Sequence, residues 1–427
     1  MKQFFLILVF YLAALSLFAQ QETTSFTVNG LKVIFQPTQK ETISMNMFYR
    51  GGVTNLKPGQ AGLENLALYA ATRCGTQKYP EEVFRDMADE FGIRIAGGSA
   101  LDYGSIKVNC VKDFFGQGWS LFSSAILNPT FDARQLIIEK ERMIASIRNQ
   151  VADPEERLEQ LALQAAFANT PYAIDPLGSE QTLQKFTSDS LKQYYYQNLL
   201  NKNRMFLVIA GNLKKEELEQ KIKESFANLP VLPYKPYVYK SPVFQDQQLV
   251  TEHRELATNY FCGVFNAPSM NHPDFPAYLL SINALSGRIF NEVRNRQNLS
   301  YEAGADVKVH QMAYSTIYAS TSNPKPTLLA MATEVGRMKK NEISQELLDL
   351  LKKSVKRSYY RRQESASRLV EYLGEAEIMG GWELADTLLE KIDKVSTKEM
   401  FDVYQKYSNG IRWAFLGNKQ LAQEAFY

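Results

Sequence analysis

The stretch FTSDSLKQYYYQNLLNKNRMFLVIAGN, residues 186–212, recurs in outline as VSTKEMFDVYQKYSNGIRWAFLGN, residues 395–418. Each copy passes from a Ser or Thr suited to capping a helix, through an amphipathic helix with aromatic residues, to an apolar strand and Gly-Asn. We predict helix N-caps at Thr187 and Ser396. Because the copies lie about half the chain apart, the sequence predicts two related halves.

The rest of the chain fits this division. Strand patterns at residues 44–49 and 259–265 open the two halves, and each is followed by a polar turn and a helix pattern. A Gly-rich hairpin is predicted at residues 92–111, and amphipathic helices are predicted at residues 133–150, 154–168, 343–362 and 368–379. Strands and helices come in blocks, so the fold class is predicted to be α+β, with a mainly antiparallel sheet packed by helices in each half.

The predicted domain limits follow from one proline-rich segment. LPVLPYKPYVYKSPVF, residues 229–244, contains four prolines and few helix formers, which is typical of an extended linker. We therefore predict two tandem homologous domains, at residues 20–228 and 246–427, joined by a linker at residues 229–245.

The N-terminus and the charge balance narrow the function classes. FFLILVFYLAALSLFA, residues 4–19, follows Lys2 and predicts a signal peptide cleaved near Ala19. A retained anchor is the alternative, but the run is shorter than the ~20 apolar residues that span a bilayer. No later segment is apolar enough to cross a membrane, so the mature chain is predicted to be periplasmic or extracellular. The net charge of +2 argues against a nucleic-acid partner.

Three ordered segments carry a family resemblance. They are GLENLALYAATRCGTQKYP at residues 62–80, PYAIDPLGSEQTLQKFTSDSLKQYYYQNL at residues 171–199, and GRIFNEVRNRQNLSY at residues 287–301. The chain resembles the pitrilysin family of inverted-motif zinc peptidases, which includes insulysin and the mitochondrial processing peptidase. The resemblance spans most of the chain and implies tandem α+β domains that enclose a cavity.

The departure from the family lies on the first helix. Active members carry H-x-x-E-H there, so that two imidazoles on one helical face bind Zn²⁺ and the Glu serves as base. Alignment from Gly75-Thr76 places these positions at Leu66, Tyr69 and Ala70, and alignment from Gly62 places them at Asn65, Leu68 and Tyr69. The third-ligand position falls near Arg148, a cation that would oppose a metal.

The sequence therefore predicts no zinc site of the family type and no other cofactor. The chain has three histidines, and none forms a pair at i,i+4. Glu64, an acid near the helix start, is interpreted as favourable charge at a helix N-terminus. An active enzyme with ligands from the scattered histidines is the least favoured alternative.

The resemblance also points to Arg294 and Tyr301. In two-subunit members, such a pair on the second domain of the inactive partner holds substrate backbone near the metal. Arg offers a planar fork of donors and Tyr a hydroxyl on a rigid ring, which suits a peptide carbonyl. The main hypothesis is a non-catalytic subunit of an exported heteromeric zinc peptidase, with a sister subunit that carries H-x-x-E-H and a peptide as substrate. A scaffold protein of the same fold, with no role in proteolysis, is the alternative.

Overall fold

A computed structural model of the chain describes residues 22–340 and 343–426. The predicted signal peptide, residues 1–19, lies outside this range. The described residues form two mixed sheets packed by helices, one in each half of the chain. The predicted α+β class with two tandem halves is confirmed.

The N-terminal sheet has six strands in the order β1-β2-β6-β3-β5-β4. Only β2 and β6 are parallel neighbours, and the other pairs are antiparallel. The strand bounds are β1 Thr24–Val28, β2 Leu31–Pro37, β3 Thr42–Arg50, β4 Arg94–Ser99, β5 Tyr103–Val111 and β6 Met205–Gly211.

The C-terminal sheet has five strands in the order β7-β11-β8-β10-β9. Its one parallel pair is β7 and β11. The strand bounds are β7 Gln247–His253, β8 Asn259–Asn266, β9 Glu302–Lys308, β10 Tyr314–Thr321 and β11 Ile411–Gly417. This order repeats the run β2-β6-β3-β5-β4 of the first sheet, with the parallel pair at the same place. The internal repeat seen in the sequence is therefore a repeat of topology.

Helices fill the segments between the strands. In the N-terminal half they are α1 Leu63–Ala71, α2 Glu81–Glu90, α3 Phe115–Leu127, α4 Ala133–Ala152, α5 Pro154–Ala166, α6 Glu180–Lys185, α7 Ser188–Tyr194 and α8 Lys215–Phe226. In the C-terminal half they are α9 Phe275–Phe290, α10 Pro324–Lys340, α11 Gln345–Gln363, α12 Ala366–Met379, α13 Glu383–Lys394, α14 Thr397–Tyr407 and α15 Lys419–Phe426. Every helix in the described ranges is too short or too polar to cross a lipid bilayer.

The two copies of the repeat begin with the same cap. The Thr187 hydroxyl accepts a hydrogen bond from the backbone N–H of Ser190, and the Ser396 hydroxyl accepts one from the N–H of Glu399. In both copies the N3 side chain bonds back to the N-cap backbone, which completes a capping box. The predicted N-caps are confirmed.

Each half contributes one helix that packs on the sheet of the other half. Helix α12 of the C-terminal half packs on β3 and β6, where a Cβ at Gly374 would overlap the Phe48 ring. Helix α5 of the N-terminal half packs on β8 and β11, and buries Leu158 and Ala162 in the same cluster as Ala414. Each sheet is thus covered on one face by a helix from the other half, an arrangement that the sequence patterns did not predict. Residues 229–245, between α8 and β7, form no helix or strand.

Candidate functional site

The N-terminal turn of α1 contains a buried ion pair. Glu64 is fully buried, and its carboxylate lies 3.2 Å from the Arg204 guanidinium. The same carboxylate accepts hydrogen bonds from the Tyr194 hydroxyl at 2.6 Å and from the Asn55 amide at 3.3 Å. Glu64 does lie in the first turn of α1, as interpreted from the sequence, but its side chain is also buried and paired inside the protein.

The surroundings of this pair shift the pKa of Glu64 and fix the position of Arg204. Burial raises the pKa of the Glu64 carboxyl, and the nearby Arg204 guanidinium opposes that shift. Arg204 also donates to the carbonyl oxygens of Arg50 at 3.1 Å and Asn198 at 2.9 Å. The cluster joins α1, the end of α7 and the start of β6, so it acts as a structural crosslink in the first half.

The positions aligned with the family's metal ligands mostly pack inside the protein. Leu66, Leu68 and Ala70 belong to the main hydrophobic cluster of the N-terminal half. Asn65 accepts a hydrogen bond from the backbone N–H of Ser99 at 2.8 Å, which fixes α1 to the edge strand β4. None of these four side chains can supply a zinc ligand of the family type.

Tyr69, shared by both alignments, has a different partner. Its hydroxyl donates to the Glu139 carboxylate at 2.8 Å, and Arg142 donates to the same carboxylate at 2.6 Å. Glu139 is buried on α4, and burial together with this hydrogen bond raises the pKa of Tyr69 to about 12. A neutral tyrosine and a paired carboxylate therefore occupy this face of α1.

Glu139 was missed by the sequence reasoning, although a signal was present. The buried residues of α4 recur at helical spacing, and Glu139 falls on that buried face between Leu136 and Met143. Arg148 of the same helix lies at the surface and forms a two-pronged ion pair with Glu180, at 2.5 and 3.0 Å. Glu139, and not Arg148, is the α4 side chain that contacts Tyr69.

Arg294 and Tyr301 lie side by side on the other half. Helix α9 continues into a wide π-helical turn at Asn291–Arg296, a form that is frequent at functional sites. From this turn the Arg294 guanidinium donates to the Tyr301 carbonyl oxygen at 3.2 Å, and its centre lies 5.8 Å from the Tyr301 ring and 5.1 Å from the Phe290 ring. The Tyr301 side chain is 80% exposed.

The histidines are placed apart from one another. His253 contacts Glu255 at 2.9 Å, and His272 accepts a hydrogen bond from the backbone N–H of Asp274 at 3.1 Å. His310 shares a hydrogen bond of 3.0 Å with the buried Asp102 across the two halves. Over residues 22–340 and 343–426, no group of three or more His, Cys, Asp or Glu side chains is arranged to hold a metal ion.

Comparisons with known proteins agree with this geometry. Residues 185–355 match the family model described as "Peptidase M16 inactive domain". A relative from Helicobacter pylori named "Non-peptidase homolog YmxG" is 22% identical over 391 residues, 88% of this chain and 89% of the relative. The chain is therefore similar to members of the M16, or pitrilysin, family over most of its length. The resemblance predicted from the sequence is confirmed.

Further similarities extend over nearly the whole fold. "Zinc protease PqqE" of Helicobacter pylori is 21% identical over 374 residues, 82% of this chain and 83% of the relative. A crystal structure described as a protease from Helicobacter pylori has a TM-score of 0.85 at 16% identity, and covers 93% of this chain and 99% of that one. The periplasmic protease PqqL from Escherichia coli has a TM-score of 0.77 at 15% identity, and this chain covers 49% of its length. At these identities the solved structures establish the fold.

Proposed function

We propose that this chain is the non-catalytic subunit of an exported, two-chain zinc peptidase. A sister chain with H-x-x-E-H on its first helix holds Zn²⁺, while this chain closes the chamber and holds the peptide backbone through Arg294 and Tyr301. One contrast carries the proposal. The metal-ligand positions Leu66, Tyr69 and Ala70 are committed to internal contacts, whereas Arg294 and Tyr301 are exposed and adjacent.

The Arg294 guanidinium has N–H donors that form no hydrogen bond within the described residues. A guanidinium has five N–H donors, and a single hydrogen bond from Arg294, to the Tyr301 carbonyl, is formed within the described residues. The stacking of the guanidinium near the Tyr301 and Phe290 rings fixes its direction. The remaining donors and the Tyr301 hydroxyl could hold a peptide carbonyl and stabilise negative charge that develops on its oxygen.

Two observations on relatives support a second chain. Helicobacter pylori has both a relative named as a non-peptidase homologue and a relative named as a zinc protease, each matching more than four-fifths of this chain. The PqqL chain is about twice as long as this one, since this chain covers 49% of it and 94% of the fragment described as its first half. In the proposal, this chain and its sister chain together correspond to the two halves of a double-length chain such as PqqL.

Export is part of the same proposal. It rests on the apolar run at residues 4–19 and predicts a mature chain that starts near Gln20. Intact-mass measurement of the protein from the periplasmic or culture fraction would show the shortened chain. Full-length protein in the cytoplasmic fraction would contradict export, but it would not contradict the proposed non-catalytic role.

The decisive experiment combines the chain with a sister that carries H-x-x-E-H from the same organism. Peptide hydrolysis and bound zinc are measured for each chain alone and for the purified mixture. We expect zinc in the sister, activity chiefly in the mixture, and a stable complex on gel filtration. A stable complex without hydrolysis would favour the scaffold role, and zinc with activity in this chain alone would overturn the proposal.

Point variants then test the exposed pair. Arg294→Ala is expected to lower kcat/KM of the mixture by about 100- to 1,000-fold, the range typical of losing one donor to a developing charge. Arg296→Ala is the matched control, since Arg296 is exposed on the same turn and contacts Glu292 at 3.3 Å. Equal activities of the two variants would remove the assigned role of Arg294.

A further inference from the structure

A cavity of about 490 Å³ opens beside the aligned metal-ligand positions, between the end of α1, helices α2 and α4, and the edge strand β4. Its floor is apolar, with Phe84, Ala88 and Ile93 buried. Its walls are rich in cations. Five basic side chains line it, namely Arg73, Arg85, Arg94, Lys107 and Arg142.

The acidic side chains of the cavity neutralise only part of this charge. Glu81 pairs with Arg85 at 2.9 Å, and Glu139 pairs with Arg142 at 2.6 Å. Asp89, on α2, is the third carboxylate that lines the cavity.

Lys107 contacts Glu371 of the other half at 3.0 Å. Together with Arg85 and Arg142, three of the five cations are therefore paired with a carboxylate. Arg73 and Arg94 have no carboxylate within ion-pair distance among residues 22–340 and 343–426. The cavity thus presents two free guanidinium groups.

One of the free cations, Arg73, lies near Tyr69, one of the positions aligned with a family metal ligand. The Arg73 guanidinium centre is 5.8 Å from the Tyr69 ring, and the Tyr69 hydroxyl bonds the carboxylate that Arg142 also contacts. A guanidinium fork matches a carboxylate with two parallel hydrogen bonds, and the partly buried floor strengthens that attraction.

The edge strand provides a path for a ligand into the cavity. Arg94, Ile95 and Ala96 of β4 line the cavity, and β4 pairs with β5 along one side only. An extended peptide can add to such an edge through main-chain hydrogen bonds. Successive side chains of the added strand would point alternately to the two faces of the sheet, and β4 lines the cavity from both, with Ile95 on one face and Arg94 and Ala96 on the other.

We infer that this cavity binds an acidic side chain of a peptide that lies along β4, so that the chain selects acidic substrates. The inference rests on the proposed function and adds the substrate class. Arg73 and Arg94 would receive the carboxylate, and the apolar floor would receive its methylene stem.

The test measures binding rather than hydrolysis and uses the full mature chain without a sister. Two fluorescein-labelled peptides of extended sequence differ only in a central Glu or Gln, and their affinities are compared by fluorescence anisotropy. We expect the Glu peptide to bind about fivefold more tightly at low salt, and this preference to shrink as salt rises. Because no peptide is cleaved, failure here leaves the Arg294 experiment unaffected.

Variants assign the preference to the cavity. Arg73→Gln with Arg94→Gln should abolish the preference for the Glu peptide, since both side chains are exposed and their loss leaves the core intact. Arg134→Gln with Lys185→Gln is the charge-matched control, because both cations are exposed on the same half and lie outside the cavity. Equal affinity for the two peptides, no binding of either, or a preference that survives in the first double variant would overturn the inference.

Discussion

Helices α1 and α9 hold equivalent places in the two halves, since each follows the strand at the matching position of its sheet. Helix α1 buries a charged group, with Glu64 against Arg204. Helix α9 buries neutral ones, and its Tyr278 hydroxyl lies 2.8 Å from the Asn266 carbonyl and 2.9 Å from the Ser315 hydroxyl. The functional candidate of α9, Arg294, is instead exposed beyond the end of the helix.

The two helices differ in where their charged side chains lie. Both halves share one strand order, and the first half in addition carries the buried Glu64–Arg204 ion pair at the start of α1. In the first half the Glu64–Arg204 pair crosslinks neighbouring segments from inside the protein, whereas Arg294, beyond the end of α9, is exposed. The positions of α1 that align with the family's metal ligands make internal contacts.

The strongest test of this contrast is removal of Arg204. Arg204→Met would leave the Glu64 carboxylate buried without a cation, which typically costs about 3–5 kcal/mol of unfolding free energy. Because burial raises the pKa of Glu64, the carboxyl should take up a proton in this variant. Its stability should therefore fall as pH rises through that raised pKa. Urea unfolding at pH 5 and pH 8 measures both effects.

Two comparison variants sharpen the result. Tyr278→Phe removes neutral hydrogen bonds at the matching helix and should cost about 1 kcal/mol. Arg148→Met breaks an exposed ion pair with Glu180 and should leave the free energy of unfolding nearly unchanged, because solvent screens the pair. If Arg204→Met were no more destabilising than Tyr278→Phe, the charged interior of the first half would have no special structural role.

The next effect concerns the exchanged helix α12. Gly374→Ala places a methyl group into the Phe48 ring on the N-terminal sheet and should cost about 1–3 kcal/mol through overpacking. Gly336→Ala, in α10, meets no atom within 4 Å and should stabilise by about 0.4–1 kcal/mol. Thermal unfolding of the two variants should therefore shift in opposite directions, and equal shifts would contradict the close approach of α12 to the sheet.

The smallest effect is a pH dependence at the other exchanged helix. Arg157 of α5 contacts Glu252 of β7 at 2.6 Å, and this hydrogen bond holds the pKa of Glu252 below its usual 4.5. A carboxyl with a lowered folded pKa contributes stability above the unfolded pKa, and that contribution disappears as pH falls through the folded pKa. Since the pair is partly exposed, the contribution is at most about 1 kcal/mol.

Arg157→Gln isolates this contribution. The variant should be less stable than the parent chain at pH 7, and the difference should narrow as pH falls through the lowered folded pKa of Glu252. Unfolding free energies from urea titrations give the comparison. A difference that stays constant with pH would show that Arg157 acts through packing rather than through the Glu252 charge.

Local patterns predicted much of this structure. The hairpin at residues 92–111 is β4 and β5, and the helix predicted at residues 133–150 is α4. The helix predicted at residues 368–379 lies within α12. These predictions succeed because apolar periodicity and capping residues act within a few residues of one another. The placement of Arg294 beside Tyr301 was suggested by family resemblance, and their role stays a prediction.

The patterns failed where the outcome depends on distant partners. Glu64 and Glu139 each appear on a helix as an ordinary polar residue, yet both are buried because Arg204 and Arg142 meet them. Sequence spacing gives no distance between such partners. A buried charge is stable only when a partner arrives from elsewhere in the fold.

The sequence by itself determined the two related halves, their α+β elements, the family resemblance and the lack of H-x-x-E-H, because these depend on residue type and local spacing. Only the tertiary structure decided which helix covers which sheet, since α5 and α12 carry apolar faces that would suit either one. It also decided that Tyr69 meets Glu139 beside free arginines, and that Arg294 and Tyr301 face outward. Those arrangements arise from long-range packing, which fixes contacts between segments that no local pattern connects.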